Sequence, residues 1–105
     1  MSAFASSLSG LNAASWLVTV AAGNVANLNS DGYRAKQVQF AANPDGSVRA
    51  QAPTESQAEP FPGGSNVDLA HEMVTLMVAH TYFGANAAAV RAQGQVLGMA
   101  LDLKA

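Results

Sequence analysis

His71-Glu72 is how a zinc-binding H-E-x-x-H helix begins, with the carboxylate placed to act as a base beside the metal. The second histidine of that motif would have to stand at position 75, which is Thr75. His80 lies nine residues beyond His71, half a turn out of phase, so the two cannot share one ion from one helix. His80 is expected instead as a neutral, hydrogen-bonded residue on a buried seam, or as a register device, and His71 as a solvated side chain near a helix start. Ser6, Ser7, Ser9 and Ser15 cluster without a base near any of them, and Ser9-Gly10 lacks the nucleophile-elbow pattern. The glycines match neither phosphate-loop spacing. Asp68 and Glu72 form an i, i+4 like-charge pair that a helix N-terminus tolerates, but acid–base work would also need a pocket, and two long helices offer little concavity. Tyr82-Phe83 beside Met73, Met77 and Met99 reads at helical spacing as core rather than as a ligand pocket. Catalysis, a cofactor and a bound metal are therefore not expected.

The polar residues that remain conspicuous are amides. AAGNVANLNSDGY, residues 21–33, sets Asn24, Asn27 and Asp31 at i, i+3 and i+7, one polar edge of a helix rather than scattered defects. Their amides are expected to hydrogen-bond backbone or neighbouring chains at the end of that helix. Gly32 would then supply the left-handed cap that stops it, and Tyr33 would begin an extended segment.

Two helices must carry these residues. Phe4, Leu8, Leu11, Ser15, Val18, Ala22 and Val25 alternate spacings of 4 and 3, the seam of a coiled coil. Leu69, Met73, Leu76, His80, Phe83, Ala87, Val90, Gly94, Leu97 and Leu101 keep the same rhythm further along. Helix one is expected from about residue 3 to 29, roughly 40 Å at 1.5 Å per residue, and helix two from a Ser65 cap to residue 103, roughly 58 Å. Between them, residues 33–40 alternate, Asn43-Pro44-Asp45-Gly46 supplies turn chemistry, and residues 47–51 return, so a β-hairpin is expected before a Pro- and Gly-bearing linker after Pro53. A lone hairpin is marginal in water and needs something to lean on. The fold expected is mainly α: an N-terminal helix over 1–32, a hairpin and irregular segment over 33–64, and a long C-terminal helix over 65–105, the helices pairing as an antiparallel or oligomeric coiled coil. A second stripe on helix two, Val74, Val78, Thr81, Ala85, Ala88 and Ala92, with Trp16 and Val20 on helix one, implies more than one neighbouring helix.

Composition agrees with an object made for packing. Of 105 residues half are apolar, with alanine the commonest of them, and only 11% are charged, against about 25% in average globular domains. A formal net charge of −2 and five scattered cations argue against nucleic acid. No cysteine means no disulfide and no thiolate chemistry. The first cation is Arg34, so no basic n-region of a secretory signal peptide is expected. Asn, Ser, Gly and His break up every apolar run, so no direct membrane span is expected either.

The stretch from Ala22 to Tyr33 resembles the Asn-rich motif, close to A-N-N-I-A-N-x-N-T-x-G-Y, of bacterial flagellar rod and hook proteins, and Ser9–Ser15 is similar to that family's opening. Ser65–Val74 and Tyr82–Val90, which contains Asn86, resemble its C-terminal signatures. Gly23 replaces a common second Asn, Gly84 a common acidic residue, and the middle is short even beside the small proximal-rod proteins. The resemblance implies an axial structural subunit of the flagellar basal body, in the rod that crosses the periplasm. It implies export by the flagellar type III apparatus without signal cleavage, and association with itself and with other rod proteins, without enzyme activity or cofactor. Leu8, Leu11, Val18 and Val25 are expected against Leu69, Met73, Leu76, Phe83, Val90 and Leu97, with Ala faces toward other subunits. The alternative is a soluble helical adaptor that binds rod or export components without polymerising.

Overall fold

A computed structural model describes residues 3–104 of the chain. From Ala3 the chain runs without proline through an alanine-rich segment, and it is helical to Ala26 (α1, Ala3–Ala26). The helix stops where amides take over from backbone partners. The Asn27 N–H is shared between the Gly23 and Asn24 carbonyls, and Asn27 Nδ2 donates back to Gly23 O at 2.8 Å, satisfying a carbonyl of the last turn. The helix therefore ends three residues before the expected limit. Gly32 does adopt a positive φ of 74°, but not as its cap. It occupies the third position of the Ser30–Tyr33 turn, where a left-handed backbone is needed, and hands its N–H to Gly64 O at 2.9 Å.

The middle segment is one long hairpin in two ladders. β1 (Lys36–Gln37) pairs antiparallel with β4 (Thr54–Glu55), and β2 (Phe40–Ala42) with β3 (Val48–Ala50), Phe40 opposite Ala50 and Ala42 opposite Val48. β4 lies inside the stretch expected as linker. At the tip, Gly46 N–H bonds Asn43 O and Asn43 N–H bonds Ser47 O, with Gly46 at φ 88°, a three-residue hairpin loop closed by a glycine bulge. The support a hairpin requires comes from the helices. Val48 N–H donates to Ser9 Oγ at 3.0 Å, and the Phe40 ring meets Tyr82 with centroids 5.8 Å apart.

The tip carries a pH-dependent contact. Asp45 Oδ1 accepts the Ser47 hydroxyl at 2.6 Å and the Ser47 N–H at 3.0 Å, and the hydroxyl followed by the amide holds the Asp45 carboxyl below its ordinary value. A depressed folded-state pKa contributes order above the unfolded value and loses it as pH falls through the folded one. Acid titration followed by NMR is expected to show the Ser47 amide moving with a midpoint below the usual aspartate range; a midpoint at or above that range counts against the contact.

After the turn at Phe61–Gly64 the chain enters α2 (Leu69–Lys104). Asp68, not Ser65, caps it, with Oδ1 accepting the His71 N–H at 3.3 Å. The helices pack antiparallel: Asn24 lies against Glu72, Gly10 against Asn86 and Ser7 against Gln93. The body measures 67 × 25 × 14 Å with a radius of gyration of 18.0 Å, against about 13 Å for a compact chain of this length.

The positions turned toward the partner helix lie one residue earlier than the expected seam on both helices. On α1 Ser7, Gly10, Ala13, Ala14, Ala21 and Asn24 are buried and Leu17 half-buried; on α2 Glu72 and Ala79 are buried, with Thr75, Tyr82, Asn86, Ala89 and Gln93 half-buried in step with them. Ala14 and Ala79 are 0% exposed and Ala21 1%. The expected seam instead lies at the edge or outside. Leu8, Val18, Leu69, Met73, Phe83 and Leu97 are exposed, Leu11, Val25, Leu76 and Val90 are half-buried, and His80 faces out while Ala79 takes the inner place. Small residues win the seam because interaxial distance is set by the side chains at the contact, and Gly and Ala let two helices and a hairpin close together. By length and composition α2 also passes for a membrane span, with a mean hydropathy of 1.2 over its best 18-residue window.

Candidate functional site

The two motif-bearing ends of the sequence meet at one end of the helix pair. Asn24 is 1% exposed and uses its full hydrogen-bonding capacity. Its Nδ2 donates to Lys36 O at 2.8 Å and to Glu72 Oε1 at 3.0 Å. Its Oδ1 accepts the Lys36 N–H at 2.9 Å and the Tyr33 hydroxyl at 3.1 Å. Asn24 thus pairs with the Lys36 backbone as an adjacent strand would, and at the same time bonds the first full turn of α2. Asn27 sits half-buried beside it, its Oδ1 accepting the Ser30 hydroxyl at 3.0 Å.

The other side of residues 33–36 is held by the approach to α2. Ala35 N–H donates to Asn66 Oδ1 at 2.6 Å, Asn66 N–H to Tyr33 O at 3.2 Å, and Asn66 Nδ2 to Ala58 O at 2.7 Å. Ser65 Oγ donates to Leu28 O at 2.6 Å and accepts the Val67 N–H. Arg34 reaches the Ala58 carbonyl at 2.8 Å and the Glu59 carboxylate at 3.4 Å. The Asn-rich segment and the Ser65-Asn66-Val67-Asp68 segment are therefore two halves of one polar knot. Ser65, Asn66 and Glu72 bind within it. All three stand in the quoted Ser65–Val74 motif, but nothing local marks Glu72 as the partner of an amide 48 residues earlier.

Asn86 works at mid-length. It packs over Gly10, where an added Cβ would lie 2.5 Å from Asn86 Oδ1 and 2.7 Å from its Cγ, while Asn86 Nδ2 is committed to Tyr82 O at 2.9 Å. Gly10→Ala is expected to cost about 1–3 kcal/mol in urea denaturation. Gly10→Ala with Asn86→Ala is expected to cost less than the two singles summed. A neutral Gly10→Ala would show that the helices do not approach this closely.

The sites considered for chemistry do not assemble. His71 and His80 are both exposed, and among the described residues no three His, Cys, Asp or Glu side chains gather as metal ligands. What the surface offers is apolar: Met73, Val74, Met77, Val78, Leu97 and Met99 on α2, and Phe4, Leu8, Trp16 and Val18 on α1, are between 38% and 68% exposed. Val74, Met77, Val78, Thr81, Tyr82 and Ala85 line an open apolar groove.

Residues 63–103 match the family model described as flagellar basal body rod FlgEFG protein C-terminal. A comparison with curated proteins found no match. The matched part of the chain holds one half of the polar knot and nearly all of α2, and it is similar to the C-terminal segment of flagellar rod proteins.

Proposed function

We propose that this chain, carrying the C-terminal segment of the rod family, is a non-catalytic structural subunit of the bacterial flagellar rod that assembles with copies of itself and with other axial proteins. The supporting observation is the inversion of the helix pair. Small and polar residues fill the intramolecular seam, and the large side chains of Leu8, Val18, Met73, Met77 and Leu97 are left outside. Isolated exposed leucines need no explanation, but stripes running along both helices of a thin rod mark an interaction surface. In this reading the subunit reaches the basal body through the flagellar export apparatus and takes its place in the rod across the periplasm. Assembled neighbours would then contribute stability that the thin monomer lacks.

Met77→Asp combined with Leu97→Asp is expected to leave the helical circular dichroism of the monomer unchanged and to remove its self-association in sedimentation. Purified basal bodies are expected to contain the chain in stoichiometric amount. A wild-type protein that stays monomeric at high concentration with its fold complete, and is missing from basal bodies, would favour the non-polymerising adaptor.

A further inference from the structure

Glu72 has more acceptor capacity than the chain uses. It is 4% exposed, its Oε1 takes one bond from Asn24, and among the described residues no cation lies within ion-pair distance of it. Oε2 receives no hydrogen bond, yet it is not a sealed, unbonded oxygen like Gln93 Oε1. The carboxylate lines a cleft of about 290 Å³ between α1, α2 and the start of the hairpin. Leu17, Val20 and Val38 give the cleft apolar walls, while Lys36 and His71 stand at its mouth. The Lys36 backbone is fixed by both of its bonds to Asn24, and its exposed side chain makes no ion pair with Glu72. Apolar walls leading to a single buried carboxylate suit an aliphatic stem with a cationic head. A buried carboxylate is costly unless it is paired, and one amide donor is a thin shell for it.

We propose that this cleft receives the Arg91 side chain of a second copy of the chain. This rests on the rod reading above and gives it a register. Of the cations, Arg34 is spent on Ala58 and Glu59 and Arg49 on Asn43. Arg91 is exposed on α2 and has no ion-pair partner among the described residues. Donor and acceptor lie on the same helix, 19 residues apart, or about 28 Å along its axis. Such a contact can be made twice across a two-fold axis or repeated head to tail, and head-to-tail repetition extends the assembly.

The cleft can be tested apart from assembly, with n-butylguanidinium as the probe, n-butylurea as its uncharged counterpart, and NMR amide shifts read at Ala21, Lys36 and Thr75. Saturable shifts from the cation alone are expected in the wild type. Binding about tenfold or more weaker is expected in Glu72→Gln, which keeps the oxygen that accepts from Asn24. Equal shifts from the urea, no shifts at all, or unchanged binding in a folded Glu72→Gln would overturn the site. In sedimentation, Arg91→Gln and Glu72→Gln are each expected to weaken self-association, the double variant being no weaker than either single. Fully additive effects would overturn Arg91 as the occupant. A wild type that never self-associates would remove the rod reading and Arg91 with it, while the n-butylguanidinium titration still judges the cleft.

Discussion

Asn24→Ala is expected to lower stability by about 3–5 kcal/mol in urea denaturation and to release the Lys36 amide to rapid hydrogen exchange. The magnitude follows from what the substitution strands. Lys36 loses both backbone partners, Glu72 loses the hydrogen bond to its carboxylate, and Tyr33 loses its acceptor. Each buried polar group left without a partner costs about 1–3 kcal/mol, and a buried carboxylate falls at the upper end. The Tyr33 hydroxyl recovers water, being only half-buried. Against the 5–15 kcal/mol typical of a domain, such a loss threatens the whole junction. Asn27→Ala provides the scale: its amide caps Gly23 and receives Ser30 at a half-buried position, and about 1 kcal/mol is expected. Asn24→Asp should fare no better than alanine, because it cannot donate to the Lys36 carbonyl and places a second carboxylate against Glu72. A cost for Asn24→Ala of less than about 1 kcal/mol would mean that the knot does not hold the two ends together.

How far such a junction can be read from sequence depends on where its partners lie along the chain. The hairpin tip was legible because Asn43-Pro44-Asp45-Gly46 closes on itself within a few residues. Two long helices were legible because the 4-3 rhythm persists through each of them. Asn24 and Asn27 stand out in the sequence as amides that need hydrogen bonds at a helix end, from backbone or from neighbouring chains, and each has a backbone partner within the chain. Glu72 could not be recognised: it sits 48 residues from Asn24, and in sequence it looks like any acidic residue in a first helical turn. The seam was misplaced for a more instructive reason. Ranking positions by hydrophobicity selects Leu8, Val18, Met73 and Leu97, but the pair of helices closes on Gly10, Ala14 and Ala79, one residue earlier in the same rhythm. Hydrophobicity alone does not say which neighbour a stripe is meant for. On the proposed rod reading the largest side chains are left for outer contacts, while closeness of approach governs the inner one. Gly32 follows the same logic at smaller scale, since its left-handed backbone was legible but its use, in a turn bonded to Gly64, depended on a segment 32 residues away.

Two adjacent positions on α2 separate these layers, and they should respond in opposite ways. Ala79 is 0% exposed in the seam, whereas Val78 is 56% exposed in the outer groove. Ala79→Leu adds three carbons where α1 and α2 already touch. Overpacking a filled site costs about 1–3 kcal/mol and occasionally more. Here the added bulk forces apart two helices that small residues hold close, so the expected loss is at the top of that range, with a large fall in thermal midpoint. Val78→Asp puts a charge where water already reaches, and should leave monomer stability within about 0.5 kcal/mol. Its effect belongs to assembly, because a carboxylate carried into an apolar contact between subunits has no partner there and is costly to bury. The pair of measurements is thermal unfolding at low concentration and sedimentation at high concentration. The expected pattern is an unstable Ala79→Leu and a stable Val78→Asp that no longer associates. If Ala79→Leu is tolerated while Val78→Asp unfolds the monomer, the large-residue stripe is the intramolecular seam after all, and the outer surface loses its claim to bind neighbouring subunits.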